Sequence, residues 1–273
     1  MIRACVMGYP VAHSLSPKLH GFWLKKYNID GEYTRREVKP EGLKAALELL
    51  AEQGFAGCNL TLPLKEHALS LMDELDDSCR AAGAVNTVVI RAGRKTGYNS
   101  DGFGFMESLK AQYPGWDGTR VVILGAGGAA RGIIAALNEA AVGRFVLVNR
   151  SREKAENIVR DLNLDQATVI NWEDRGASLK NATLLINCSS LGMAGGPPLD
   201  LDLSGLPKTA AVCDIVYRPL VTKLLAEAKR RGNPTVEGLP MLLHQGRLGF
   251  RHWFGVDPAV TGELYDEITK GAL

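Results

Sequence analysis

Val121-Val122-Ile123-Leu124-Gly125-Ala126-Gly127-Gly128-Ala129-Ala130-Arg131 decides the fold. Four consecutive apolar residues read as a strand buried on both faces, and they run straight into a glycine-rich turn. The turn fits G-x-G-x-x-A, with Ala130 in the third glycine's place. Beyond it, Gly128 to Ala141 reads as a helix and Arg144 to Val148 as a second strand. A glycine triplet alone is weak evidence, but one that leaves a strand, opens a helix and sits inside a βαβ unit has the required context. The physics is a tight turn at Gly125, close approach of a pyrophosphate to Gly127, and amide N–H groups at a helix N-terminus facing the anion. A strand–helix turn without any ligand is the plain alternative.

The alternation continues outward from this turn. Downstream lie a helix over Arg152 to Leu162, strands near Thr168 to Ile170, Leu184 to Cys188 and Ala211 to Ile215, and a helix over Pro219 to Arg231. That is the pattern of a doubly wound sheet. Two helical stretches, Met241 to Trp253 and Pro258 to Lys270, finish the chain. Upstream, Ala4 to Met7, Tyr33 to Val38, Cys58 to Leu62 and Val85 to Ile90 read as strands, with helices over Pro17 to Tyr27 and Glu41 to Gln53. Arg91-Ala92-Gly93-Arg94 reads as a turn. This first part predicts a separate α/β lobe with a largely parallel sheet.

Composition agrees with such a protein. The chain has 273 residues, enough for nearly two domains of ordinary size, with 46% hydrophobic and 23% charged residues. Lys plus Arg number 32 against 30 for Asp plus Glu, a net charge of +2. So even a balance makes no case for nucleic acid or a membrane surface as partner. Cys5, Cys58, Cys79, Cys188 and Cys213 are far apart, form no C-x-x-C pair and sit among small or apolar residues. Neither disulfides nor a metal is expected, and a reduced, cytoplasmic setting is. No signal peptide and no apolar run long enough for a membrane span are visible.

At the end of the second dinucleotide strand an enzyme that uses NAD places Asp or Glu on the ribose hydroxyls. This chain has Asn149-Arg150-Ser151-Arg152, then Lys154. Guanidinium groups can clamp a 2′-phosphate that an acid would repel, so the reading is NADP(H). Solvated loop charges are the bland alternative.

Four segments of the first lobe are polar where a plain core would not be. Ser14 and Ser16 stand on alternate positions before a helix and could cradle a carboxylate, or Ser16 could simply cap the helix ahead of Pro17. Asn59 and Thr61 share one face at a strand's end, and Pro63 breaks the strand before Lys65. Asn86-Thr87 opens a strand, and Asn99-Ser100-Asp101-Gly102 closes the lobe. Taken singly, Lys65 reads as a surface lysine and Asp101 as a helix cap.

Together these segments resemble the shikimate dehydrogenase family from end to end. The match covers Ser14-Leu15-Ser16-Pro17, Asn59-x-Thr61-x-Pro63-x-Lys65, Gly83-Ala84-Val85-Asn86-Thr87, Asn99-x-Asp101-Gly102 and Gly125 to Ala129. It continues through Asn149-Arg150-Ser151, Asn187-Cys188-Ser189-x-Leu191-Gly192-Met193, Asp214-Ile215-Val216-Tyr217-x-Pro219-Leu220-x-Thr222 and Gly238-x-x-Met241-Leu242-x-x-Gln245-Gly246.

The resemblance implies a two-lobed α/β fold. An N-terminal substrate domain spans residues 1–101 and is completed by 238–273, with the C-terminal helices returning to the first lobe. A Rossmann-type, doubly wound NADP-binding domain spans 102–237. It implies reversible NADPH-dependent reduction of 3-dehydroshikimate to shikimate, on the route to aromatic amino acids, by a monomer or homodimer. By similarity Ser14 and Ser16 hold the substrate carboxylate, and Asn59, Thr61, Asn86, Asp101, Tyr217 and Gln245 surround the ring. Lys65 is the acid–base group, positioned with Asp101. Asp77, Gly125, Ala126, Gly127, Gly128, Ala129, Asn149, Arg150, Ser151, Arg152, Lys154, Ile215 and Gly238 contact the dinucleotide. Two rivals stay open: a quinate/shikimate dehydrogenase using NAD, and an inactive binding protein on the same scaffold, which would be expected to lose Lys65 or Asp101.

Overall fold

The computed structural model describes residues 1–270; the expected first domain extends to Leu273, and residues 271–273 lie outside the described part. The described residues divide into two units, Met1–Gly104 with 242–270, and Phe105–Met241.

In the first unit, β1 (Ile2–Gly8), α1 (Ser16–Lys26), β2 (Gly31–Glu37), α2 (Leu43–Glu52) and β3 (Gly57–Leu60) alternate as the sequence suggests. They are followed by β4 (Glu74–Leu75), α3 (Asp77–Ala82), β5 (Thr87–Arg91), β6 (Arg94–Tyr98) and the start of α4 (Asp101–Gln112). The strand order is β2-β1-β3-β5-β6-β4. β1 runs parallel to β2 and β3, but β5 is antiparallel to both β3 and β6. The sheet is therefore mixed, and the Arg91–Arg94 turn, a hairpin in which Ala92 and Gly93 have φ of 48° and 79°, sets its β5–β6 pair antiparallel. Positive φ at both central residues matches the twist of two hairpin strands. α2 lays Leu43, Leu47 and Leu50 on Cys5, Met7, Cys58, Leu60 and Val88 of β1, β3 and β5. Spacing of that kind is a helical stripe, and each such side chain contributes roughly 1.5–3 kcal/mol by leaving water.

The second unit carries β7 (Val121–Leu124), α5 (Gly128–Glu139), β8 (Phe145–Asn149), α6 (Arg152–Asp161) and β9 (Ala167–Asn171). β10 (Leu184–Asn187), β11 (Ala211–Asp214), α7 (Lys223–Arg231) and β12 (Thr235–Val236) complete it. The order is β12-β11-β10-β7-β8-β9, and every pair is parallel. This is the doubly wound dinucleotide-binding order. Val121, Ile123, Phe145, Leu147, Leu184 and Ile186 face one core, while Val122, Leu124, Val146, Val148 and Leu185 face another. Both faces are covered, which is why the strands read as unbroken apolar runs. α7 begins four residues later than Pro219 because the Thr222 hydroxyl accepts from Leu225 N (3.3 Å) and so caps it.

The final helices, α8 (Gly238–Phe254) and α9 (Gly262–Thr269), take the chain back to the first unit. Trp253 Nε1 donates to Val88 O (3.0 Å) and Trp23 Nε1 to Ala259 O (3.2 Å). Between them lies an aromatic cluster built on His20, whose ring stacks on Tyr33 at 3.9 Å and 8° and faces Trp23 and Phe250.

His20 is fully buried, and that burial pushes its pKa from 6.5 down to about 3, the Asn59 side chain opposing it weakly. The unfolded chain therefore takes up this proton first, so its contribution to stability is complete above pH 6.5 and falls as pH drops toward 3. Between pH 6.5 and 4.5 the loss from this residue is about 2–3 kcal/mol. Urea unfolding across that range is expected to show His20→Phe losing less stability on acidification than wild type by that amount; equal slopes refute the assignment.

Candidate active site

Lys65 lies just past β3, where buried Leu64 anchors the loop and Lys65 O accepts from Val85 N at 2.9 Å. Its Nζ donates to Asp101 Oδ2 at 2.6 Å. The two side chains are 15% and 6% exposed, so this is a pair largely withdrawn from water. Charges in that position need every remaining lone pair met. The other carboxylate oxygen, Oδ1, accepts from Asn86 Nδ2 at 2.9 Å. Asn86 Oδ1 in turn accepts from Ser100 N (2.9 Å), Ser100 Oγ (3.1 Å) and Thr87 Oγ1 (3.0 Å). Asp101 N donates to Asn99 Oδ1 at 3.0 Å, so Asp101 begins α4 and Asn99 supplies the cap-like acceptor.

Two other expected residues of this unit, Gln245 and Asn59, join the network around that pair. Ser100 Oγ also lies 3.1 Å from Gln245 Oε1, which brings α8 into the network. Asn59 is 5% exposed; its Nδ2 donates to Asn86 O and Thr87 Oγ1, both at 3.1 Å, and its Oδ1 accepts from the Tyr33 phenol at 2.6 Å. Ser14 Oγ accepts from Ser16 N at 3.3 Å, so the helix starts at Ser16 itself, and Ser16 is not its cap. Arg35, which sequence reasoning passed over, donates from Nε and Nη2 to Ser14 O at 3.1 and 2.7 Å and fixes this loop. Thr61 lies just past β3, its N donating to Met7 O at 2.9 Å. Asp77 stands apart on the first turn of α3, with a fully exposed side chain 3.6 Å from Arg80.

In the second unit the glycine turn joins β7 to α5. Gly125 has φ of +109°, and a Cβ there would meet the Cys188–Ser189 backbone at 3.0 Å. Gly127 is extended, has no side-chain cap bond at the start of α5, and a Cβ on it would meet nothing within 4 Å. The helix therefore presents bare amides to open space. A cleft of about 220 Å³ lies there, lined by Ala126, Gly127, Asn149, Arg150, Ser151 and Lys154. Arg150 and Lys154 have no side-chain hydrogen bond or ion pair among the described residues, whereas Arg152 is held by Glu156 (2.7 Å) and Asn171 (3.2 Å). Open amides and two uncommitted cations suit a dinucleotide phosphate. Among the described residues no group of three His, Cys, Asp or Glu side chains forms a metal site, and no helix is long and apolar enough to cross a membrane.

Ile215 and Tyr217 follow β11, and Gly238 lies against the backbone of Asp214 and Ile215. A Cβ on Gly238 would meet Asp214 O and Ile215 C and O at 2.7 Å, so only glycine can begin α8 there. Burial pushes the Tyr217 phenol up. Besides Arg35, the sequence reading gave no role to Asp214, 2% exposed, whose carboxyl burial raises to a pKa of about 6. An acid ending the apolar run Ala211-Val212-Cys213 was its signal.

The strand order and glycine turn define the second unit as a Rossmann-type nucleotide-binding fold. Family comparison takes this further. Residues 6–88 match the family described as shikimate dehydrogenase substrate binding domain, 107–192 shikimate / quinate 5-dehydrogenase, and 238–261 shikimate 5'-dehydrogenase C-terminal domain. A shikimate dehydrogenase (NADP(+)) of Paramagnetospirillum magneticum is 50% identical over 264 residues, covering 96% of this chain and 95% of the relative. The crystal structure of shikimate 5-dehydrogenase from Thermus thermophilus in complex with NADP(H) and shikimate superposes with a TM-score of 0.88 at 37% identity, over 100% of both chains. Quinate dehydrogenase from Corynebacterium glutamicum in complex with NAD gives 0.91 at 28% identity, over 98% and 99%. The chain belongs to the shikimate dehydrogenase family.

Two glycine substitutions separate the roles within the turn. Gly125→Ala is expected to cost about 1–3 kcal/mol through its positive φ and the crowded backbone. Gly127→Ala should unfold within about 1 kcal/mol of wild type, since its extended conformation suits alanine. Denaturant unfolding of both variants tests this, and equal losses would contradict it.

Proposed function

We propose that this chain is an NADP-dependent shikimate dehydrogenase that interconverts 3-dehydroshikimate and shikimate. The observation that carries the reading is the Lys65–Asp101 pair at 2.6 Å, mostly out of water and held by Asn86. In this reading the unit around that pair is the substrate domain, residues 1–101 with 238–273, and residues 102–237 are the NADP domain. The protein works in the cytoplasm on small molecules, as a monomer or homodimer.

Bound NADPH supplies the hydride. The chain's own residues handle charge and protons. As the C3 carbonyl is reduced, negative charge grows on its oxygen, and the Lys65 ammonium stabilises it and delivers the proton to that oxygen. In the oxidation direction the amine takes the proton back. Asp101 keeps Lys65 in place with one oxygen and, secured by Asn86 at the other, orients a ring hydroxyl. Ser14 and Ser16 receive the substrate carboxylate in a loop that Arg35 keeps rigid. Thr61, Asn86 and Gln245 complete the contacts to the ring; Asn59 supports them from below, and Tyr217 is assigned from the family resemblance. Amides and small residues over Gly125 to Ala129 receive the pyrophosphate, with Ile215 and Gly238 toward the nicotinamide. Asn149, Ser151, Arg152 and above all the uncommitted Arg150 and Lys154 receive the 2′-phosphate, and Asp77 is a further dinucleotide contact.

Initial rates with shikimate or quinate against NADP or NAD test this directly. Strong preference for shikimate with NADP is expected; comparable rates with quinate and NAD would replace the reading with the NAD-using one. Lys65→Ala should lower kcat by about 10²–10⁴ while shikimate binding changes far less. Turnover near wild type in that variant would sink the acid–base role. Arg150→Ala should raise KM for NADP by about tenfold or more and leave KM for NAD unchanged, because only NADP carries the 2′-phosphate.

A further inference from the structure

Asp214 ends β11 as a buried carboxylate whose hydrogen-bond donors among the described residues are all neutral. Oδ1 accepts from Asn187 Nδ2 (2.9 Å) and Val216 N (3.0 Å), and Oδ2 accepts from Thr222 Oγ1 (2.7 Å). Asn187 and Thr222 are 0% and 1% exposed. A buried acid satisfied only by neutral donors costs stability relative to an apolar side chain, so its directional bonds need another reason to be there.

Those bonds tie together two strand-end loops. Asn187 sits opposite Asp214 in the β10–β11 register and spreads its own amide over the loop after β10. Its Oδ1 accepts from Ser189 N (3.1 Å) and Ser189 Oγ (2.7 Å), and its Nδ2 also reaches Leu191 O (3.1 Å). Asn187 O accepts from Ile215 N (3.1 Å). The Cys188–Ser189 backbone is the surface against which Gly125 turns. One continuous set of contacts thus runs from the phosphate-binding turn through Ser189, Asn187 and Asp214 to Ile215 and Gly238. Ligands of open parallel sheets bind outside these carboxyl ends.

We propose that Asp214, with Asn187 and Thr222, is a positioning unit that sets Ile215 at the nicotinamide end of the dinucleotide in register with the phosphate turn. The inference rests on the dinucleotide reading given above. None of the three side chains needs to touch the cofactor. Anchoring of the phosphates and the adenosine half is independent of them, so their loss should misplace the reacting end without releasing the ligand.

Thr222→Val removes the hydroxyl that holds Oδ2 at nearly constant volume, and Thr222→Ser restores it. Asp214→Leu removes the carboxylate acceptors, leaves the α7 cap intact and controls for that second job of Thr222. In the ligand-free protein, amide hydrogen exchange over 188–192 and 215–217 should accelerate about tenfold or more in Thr222→Val and Asp214→Leu. Exchange in β7, β8 and α5 should stay as in wild type, and Thr222→Ser should recover. The dissociation constant for NADP+ should move less than about threefold, while kcat with shikimate falls about 10–100-fold and the primary deuterium isotope effect on it rises. Unchanged loop exchange overturns the proposal, as does wild-type kcat, or an accelerated exchange spread evenly across the whole unit. If the unsubstituted protein turns over no shikimate, the functional reading fails, and the exchange comparison still decides the positioning.

Discussion

Removing the ammonium of Lys65 and the carboxylate of Asp101 from water creates a debt that the surrounding chain must meet. Their mutual attraction at 2.6 Å covers only part of the desolvation. The remaining carboxylate oxygen must find a donor, and it finds the Asn86 amide. An amide has two ends, so Asn86 Oδ1 then needs donors of its own and takes three, from Ser100 and Thr87. The polar residues clustered in an otherwise apolar lobe follow from this one pair. Asn59 closes the chain by holding the Asn86 carbonyl and Thr87 from the neighbouring strand.

The second unit handles charge differently. No side chain caps α5, and no side-chain acid stands at the end of β8. Positive potential is left there by construction: bare amides at Gly127 and Gly128, and two cations without a side-chain partner among the described residues. Arg152 belongs to the same stretch of sequence but is held by Glu156 and Asn171. Position in a motif therefore does not settle which arginine is available, and the i, i+4 relation to Glu156 is what distinguishes Arg152 from Arg150.

How much of this could be read from sequence follows from how strongly each element is over-determined. β7, β8 and β10 are buried on both faces, so their apolar runs admit one reading. β6 is Arg94-Lys95-Thr96-Gly97-Tyr98, mostly polar, and its pairing is dictated by the hairpin turn before it rather than by its own residues. β4 and β12 are two residues long, too short for any period. The start of α7 was displaced by Thr222, whose hydroxyl outcompetes the proline before it as a starting signal. Lys65 and Asp101 each read singly as ordinary; their pairing across 36 residues becomes visible only in the fold or through the family resemblance.

Comparing the two buried aspartates shows why one can serve chemistry and the other geometry. Asp101 faces the Lys65 ammonium at 2.6 Å, so its carboxylate is met by a charge of opposite sign. Asp214 faces an amide, a backbone N–H and a hydroxyl, none of which gives up a proton near neutral pH. A carboxylate fixed by three neutral donors has directional rigidity and no reactive partner. The same residue type thus does different work according to the donors that meet it, and those donors, Lys65 in one case and Asn187 with Thr222 in the other, are the residues to vary when the roles are to be told apart.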